Sequence, residues 1–398
     1  MFKKIKESKT ISPDVSESSF IPVKKPIGVD FSDEKNPGKF SFKNLTKKQK
    51  ILGGSSILLI VMLSVGSYFM FFDKKPQPAT PVAQQPKVEE PPKTTEPSRL
   101  TGIEVPVEYN QRTATGMMIE NSPDARPQSG LKDAGVVYEA VAEGGITRFL
   151  AIFQDNLPEY AGPVRSVRPY YLDFVVPYDA GIAHVGGSGP ALQQIRNEGI
   201  KDLDQMIASN SSAYWRERSR YAPHNMYTSV VKLKEIEKQK GWTSKYEGFV
   251  RGGEDKASAT PNAKTINIDM SSANYRVNYK YDPATNTYLR SEGGRPHMDA
   301  KSNTQLAPKI VIVPIIHRTQ SGYYSVYATV GSGKVLVFQN GTVTEGTWSK
   351  PDRKTQIKFN GADGQLIKLA PGQTWVTLAS TASDVTFAPQ LKNYCYNK

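Results

Sequence analysis

Residues 136–153 read VVYEAVAEGGITRFLAIF, and the class of the fold turns on whether this stretch is a helix or a pair of strands. A helix over Val136–Glu143 is the rival reading. Val136, Val137, Val141, Ile146 and Thr147 are β-branched and favour a pleated, packed surface. Gly144-Gly145 supplies the positive φ that a tight turn demands. The balance favours a hairpin, Val136–Glu143 against Ile146–Phe153. A two-residue turn then places Glu139, Val141 and Glu143 on one face with Ile146, Arg148 and Leu150.

Around this hairpin, residues 99–250 alternate short apolar strands with helical stretches. Gly116–Ile119 (GMMI) reads as a strand. Pro169 suits the first turn of a helix that carries Leu172, Val175 and Val176 and stops at Pro177. Ile182–Val185 (IAHV) reads as a buried strand and Pro190–Glu198 as a helix ended by Gly199. A further helix starts from a cap at Thr228 or Ser229, buries Val230, Leu233 and Ile236, and stops at Gly241. This alternation predicts a mixed α/β domain over 99–250. Residues 251–263 (RGGEDKASATPNA) have linker composition. Beyond them, strand-like runs (Tyr275–Tyr281, Thr287–Arg290, Ile310–Ile316, Tyr323–Val330, Lys334–Gln339) are separated by turns, with Asn340-Gly341 the strongest hairpin signal. Residues 264–398 are expected to form a mainly β domain, so the chain as a whole is expected to be α+β.

The N-terminal side carries a different signal. The chain has 398 residues and a formal net charge of +13. Residues 1–50 hold 12 Lys against 6 acidic residues; rich in Ser, Lys and Pro and without apolar periodicity, they are expected to be a disordered tail. Ile51–Phe72 is a run of 22 uncharged residues, at about 1.5 Å per residue long enough to cross a bilayer core of roughly 30 Å as a transmembrane helix. Lys43, Lys47, Lys48 and Lys50 crowd its N-terminal side and mark the cytoplasmic end. The run starts too late for a cleaved signal peptide and ends in bulky residues, so a retained single-pass anchor is expected, with the body outside the cell membrane. Residues 73–98 hold 7 Pro in 26 residues and read as an extended stalk. The charge left to the body is too thin to argue for nucleic acid. A single cysteine, Cys395, excludes a disulfide framework and a thiolate zinc site.

Several blocks carry a resemblance: Ile119–Leu131 (IENSPDARPQSGL), Val137–Phe153, Gly162–Phe174 (GPVRSVRPYYLDF), His184–Ser188 (HVGGS), Ala222–Ser229 (APHNMYTS), Arg295–Asp299 (RPHMD) and Val335–Arg353 (VLVFQNGTVTEGTWSKPDR). From about Leu100 to the C-terminus the chain resembles the YerB-like bacterial lipoproteins. The resemblance implies a two-part extracytoplasmic body with no established reaction. Such lipoproteins anchor through an N-terminal lipidated cysteine, which this chain lacks near its start, so the Ile51–Phe72 span is expected to take over the anchoring.

Three constellations carry candidate chemistry. Gly186-Gly187-Ser188-Gly189 joins the His184 strand to a helix, aiming backbone N–H groups and a positive helix end at one spot suited to a phosphate or carboxylate. It matches no nucleotide-loop spacing, so no cofactor is implied; a turn needing glycine for geometry alone is the alternative. Arg165 and Arg168 lie on a Pro-braced segment followed by Tyr170 and Tyr171, two guanidinium groups able to clamp an anion beside rings able to stack or donate. Pairing with Glu120, Glu139 or Glu143 is their structural alternative. His184, with Ser188, Glu120 and Glu143 as company, is a candidate general base. The ligand-binding set is Arg165, Arg168, Tyr170, His184, Gly186, Gly187 and Ser188, joined by His224 and Asn225. His297 and Asp299 share a face if extended, but with His224 they make no metal site, and Cys395 has no activating histidine nearby. Trp215–Tyr221 (WRERSRY) suits an exposed loop that meets anionic wall polymer or a protein partner.

These features predict a membrane-anchored envelope protein that binds an anionic or polar envelope ligand around Arg165, Arg168 and the His184–Ser188 turn. An extracytoplasmic hydrolase or transferase using His184 and a carboxylate is one alternative, and a non-catalytic scaffold for envelope enzymes is another. All three depend on whether Glu120, Arg126, Glu139, Arg148, Arg165, Arg168, His184 and His224 converge. An open cleft favours a ligand; closed Arg–carboxylate pairs favour architecture.

Overall fold

The computed structural model describes residues 61–68 and 93–388. Residues 61–68 form a helix with exposed side chains. The rest of the expected 51–72 span, the 1–50 tail, most of the Pro-rich stalk and Cys395 lie outside the described residues. Among the described residues no helix is long and apolar enough to cross a membrane. At the end of the stalk, Thr95–Pro97 is a strand paired antiparallel with Glu104–Pro106.

From residue 93 onward the chain is mostly β. Its main strands are β1 (Thr115–Glu120), β2 (Val136–Val141), β3 (Thr147–Phe153), β4 (Gly181–His184) and β5 (Asp202–Asp204), then β6 (Thr265–Asp269), β7 (Arg276–Asp282), β8 (Thr287–Glu292) and β9 (Arg295–Pro296), and finally β10 (Ile310–Pro314), β11 (Gly331–Gln339), β12 (Thr342–Lys350), β13 (Lys358–Gly361), β14 (Thr374–Thr377) and β15 (Val385–Ala388). The α-helices are α1 (Pro169–Val175), α2 (Gly189–Glu198) and α3 (Val230–Gln239). Their ends follow the expected chemistry: Gly199 closes α2 at φ 62°, and the Ser229 side chain accepts the Lys232 N–H to cap α3.

Ten strands form one sheet in the order β13-β12-β11-β10-β14-β2-β3-β1-β4-β5. β14 pairs in parallel with β2, Thr374 opposite Val136, and with β10 on its other side. Strands from both halves of the sequence therefore share one sheet. Five further strands, β9-β8-β7-β6-β15, form a second sheet. Strands β1, β2 and β3 are buried along their whole length, as expected where both faces of a sheet are covered. Val136, Tyr138, Leu150 and Ile152 pack on one face with α1 and α2. Val137, Phe149 and Ala151 pack on the other with α3 and Trp375.

The β2–β3 hairpin forms, with Gly144 at φ 54° and Gly145 at φ 79°, but its register differs from that of a two-residue turn. Ile146 donates its N–H to the Glu143 carbonyl and accepts the Ala142 N–H on its own carbonyl, so two residues oppose one. That extra residue is a bulge, and one residue of slip exchanges the faces. Glu139 consequently lies opposite Phe149, and Arg148 lies opposite Ala140. Glu139 and Arg148 thus end up on opposite faces, not on the shared face expected.

Candidate functional site

Strands β1, β2, β4, β5, β10 and β14 run in the same direction. Their carboxyl ends gather the polar residues of the N-terminal half, as ligand sites of open α/β sheets do. The residues expected to converge fall into four groups there.

The first is built on Glu120, the last residue of β1. The Glu120 N–H donates to Pro163 O at 2.9 Å, and Arg165 donates its N–H to Met118 O at 2.9 Å, so the 162–168 segment runs alongside. Val164 N–H to Met226 O at 2.6 Å brings the His224 segment next to it. Glu120 Oε1 accepts from Ser122 Oγ at 3.0 Å and faces His224 Nδ1 at 2.9 Å and Arg165 Nε at 3.4 Å. The Glu120 side chain is 5% exposed, those of His224 and Arg165 23% and 30%. Because Nδ1 faces a carboxylate, it carries the ring proton and leaves Nε2 directed outward. Neither His224 Nε2 nor the Arg165 Nη groups have a partner among the described residues. Glu120 Oε2 is buried without a hydrogen-bond partner among them.

The second group is closed. Arg168 ion-pairs with Glu143 and donates Nη1 to the Val167 carbonyl at 2.6 Å, and Arg148 reaches Glu143 at 3.0 Å and Ser166 O at 2.7 Å. Burial, with Arg148 adding repulsion, lowers the Arg168 guanidinium below its usual value. Tyr170 is buried, its hydroxyl on Val141 O at 3.1 Å. Arg168 and Tyr170 are thus taken up in architecture, away from the Arg165 clamp they were expected to complete.

The third group is His184, whose side chain is 0% exposed. Its Nδ1 meets Gly186 O at 2.8 Å and its Nε2 meets Asp202 Oδ1 at 3.1 Å. A ring enclosed in this way is unable to reach a substrate, which corrects its assignment as a general base. The glycine turn is occupied as well. Gly186 gives its N–H to Asp204 Oδ1 at 2.9 Å, Ser188 gives its N–H to Val167 O at 3.2 Å, and Gly187 bridges Val167. Ser188 Oγ is buried without a hydrogen-bond partner among the described residues. Trp215–Tyr221 is not the loop expected throughout: Tyr214–Arg216 is a strand paired antiparallel with Met226–Thr228, and Asn225 braces the turn between them, accepting from Arg216 Nη1 at 2.8 Å and donating to Glu217 O and Arg220 O.

The fourth group is built on a residue that sequence reasoning missed, Arg290. Arg290, wholly buried on β8, pairs with Glu139 at 3.0 Å and Glu292 at 3.5 Å and donates to Tyr279 Oη at 3.0 Å. Its Nε donates to His297 Nδ1 at 2.9 Å, and His297 Nε2 meets Gln128 Oε1 at 2.8 Å. His297 is therefore held as the neutral Nε2–H tautomer. Burial, reinforced by Arg290 and Arg126, pushes its pKa well below the ordinary imidazole value. Burial also raises the Glu139 carboxyl, against the pull of Arg290. Asp299, expected beside His297, instead takes the N–H groups of Gly130 and Ser302. Arg126, tied to Asn121, Asn274 O and Glu292, lines a cleft of about 470 Å³ above this network with Asn274, Glu292, Arg295 and Met298. The only warnings in sequence were Glu139 in an otherwise apolar strand and a histidine in Arg295–Asp299.

Comparison with known proteins adds kinship. Residues 100–243 match the family described as "Protein of unknown function (DUF3048) N-terminal domain" and residues 266–376 the corresponding C-terminal domain. The "Putative lipoprotein YerB" of Bacillus subtilis (strain 168) is 34% identical over 287 residues, 70% of this chain and 85% of its own length. The crystal structure of YerB protein from Bacillus subtilis is similar at a TM-score of 0.67 and 29% identity, covering 74% of this chain and 100% of that one.

Proposed function

Because the chain belongs to the two-part DUF3048 family of YerB-like proteins, we propose that it is a membrane-associated, extracytoplasmic envelope protein that binds an anionic ligand at Arg165 and His224. The compartment reading is supported by the relative named a lipoprotein and by the uncharged run Ile51–Phe72, whose length suits a single crossing with the lysine-rich side in the cytoplasm. Protease added to intact cells is expected to cut the body and spare the 1–50 tail.

The observation that carries the ligand reading is the shared use of Glu120 Oε1 by Arg165 and His224. Both outward groups are fixed in direction before any ligand arrives, which lowers the ordering cost of binding. A guanidinium fork matches phosphate and carboxylate alike. With Nδ1–H kept on Glu120, a proton on Nε2 is what His224 would donate to the anion. Calorimetric titration of the full chain in detergent micelles with inorganic phosphate and with anionic wall fragments tests this. Saturable binding that a folded Arg165→Gln/His224→Gln variant loses supports the site; binding unchanged in that variant overturns it.

The same carboxylate-backed histidine favours a second reading, hydrolysis with His224 in place of His184 as general base on a water or hydroxyl. Turnover that disappears in His224→Gln while phosphate still binds would favour that reading over binding alone.

A further inference from the structure

We propose that the cleft between residues 123–127 and 292–298 is a second anion site and that, with Arg165 and His224, it forms one strip for a linear polyanion carrying repeated phosphate or carboxylate groups. This rests on the ligand reading above and extends it from a single anionic group to a polymer.

The two sites share one piece of chain. Glu120 and Ser122 hold His224, and Asn121 next to them hydrogen-bonds Glu292 at 2.6 Å and Arg126 Nε at 3.0 Å. The segment is pinned from both sides. Arg220 donates to Asp124 O at 3.3 Å and Pro127 O at 2.6 Å, and Arg126 donates to Asn274 O at 2.9 Å. Arg220 thereby lays the turn after the Tyr214–Arg216 strand against the segment that lines the cleft, while Arg216 at the end of that strand reaches Asn225, next to His224. The 120–127 segment thus carries His224 and Arg165 through Glu120, Arg220 through Asp124 and Pro127, and Arg126 through Asn121.

Charge on this surface is lopsided. Arg216, Arg218, Arg220 and Arg295 have no carboxylate within ion-pair distance among the described residues. The Arg295 side chain is exposed at the cleft and makes no hydrogen bond among them. Of the acidic side chains nearby, Glu120 and Glu292 are buried in their own pairs, Glu217 turns to Tyr160 and Ser219, and Asp124 stays exposed. A small anion neutralises one such position. A chain of repeated charges meets several in turn, gaining effective concentration after the first contact and releasing a counterion at each.

The test compares inorganic phosphate with long-chain polyphosphate and polyglutamate on the full chain in detergent micelles, over a range of salt. The expected result is polymer binding far tighter and more salt-dependent than phosphate binding. Arg295→Gln should weaken polymer binding by about tenfold, the loss of one charged contact. Preference for polyphosphate or for polyglutamate identifies the repeating group. Polymer binding no tighter than phosphate, or unaffected by Arg295→Gln, overturns the strip. Either failure leaves the Glu120 site standing if Arg165→Gln still abolishes phosphate binding, so the two readings fail separately.

Discussion

The Arg290 guanidinium lies 3.0 Å from the Glu139 carboxylate with both side chains fully enclosed, and the pair ties the five-stranded sheet to the ten-stranded one. The guanidinium also faces the Trp375 ring at 4.5 Å, so its plane is packed as well as paired. Buried ions are costly to desolvate, and the pair persists because each charge answers the other. Its sharpest signature is the asymmetry between removing one partner and removing both.

Arg290→Met is expected to cost about 3–5 kcal/mol, because it strands Glu139 without a countercharge and leaves Glu292 to Arg126 alone. Glu139→Gln should cost less, since an amide oxygen still accepts from Arg290. The double variant should be more stable than the sum of the two losses. Urea denaturation of the full chain measures all three. Additive losses, or a loss in Arg290→Met below about 1 kcal/mol, would refute the pair as a joint between the sheets.

His297 gives the fold an acid-side weakness. Its folded pKa lies well below the ordinary 6.5, so below pH 6.5 the unfolded chain takes up a proton that the native ring refuses. Stability is complete above that value and falls as the pH drops below it, by up to about 1.4 kcal/mol per pH unit for one proton. Glu139, with its carboxyl raised, contributes the opposite slope, so the wild-type curve alone mixes the two. His297→Gln keeps an acceptor for Arg290 and a donor for Gln128 without the titration. The difference between its stability curve and the wild-type curve between pH 7 and pH 5 should show the His297 slope; parallel curves would remove His297 as its source.

Local signals were legible in the sequence and pairings across the chain were not. Gly144-Gly145 and Asn340-Gly341 mark hairpins because those residues tolerate positive φ, and Gly199 and Ser229 end and start helices where expected. The bulge at Ala142–Glu143 left no trace in composition, yet it alone decides that Glu139 faces Arg290. β14 is only Thr374–Thr377, and nothing local says that it enters a sheet beside Val136. Glu120, Arg165 and His224 were all candidates, but Arg165 was grouped with Arg168 by spacing, whereas the chain turns the first to Glu120 and the second to Glu143. Arg290, 151 residues from Glu139, sits in a strand whose alternation gave no sign of a buried charge.

His184→Ala tests the displaced candidate. The ring is enclosed, and its loss removes hydrogen bonds to Gly186 O and Asp202 and leaves a void beside β5. A destabilisation of about 2–4 kcal/mol is expected, with phosphate affinity of the folded variant unchanged. Intact stability together with lost phosphate binding would return the site to the glycine turn and sink the assignment to Arg165 and His224.

Glu120→Gln separates anion binding from proton chemistry at the same residue. The amide oxygen still accepts from Ser122, His224 and Arg165 in the place of Oε1, while the negative charge beside the ligand disappears. A bound anion then feels less repulsion, and phosphate affinity should rise by about threefold, a fraction of a kcal/mol for a partly screened charge. Glu120→Ala removes the acceptor, frees both side chains and should weaken binding instead. A general base at His224 makes the opposite demand, because the carboxylate stabilises the imidazolium formed when a proton is taken. If Glu120→Gln weakens phosphate binding with the fold intact, the carboxylate acts through the charge state of the His224 ring, and the hydrolytic reading gains at the expense of the binding one.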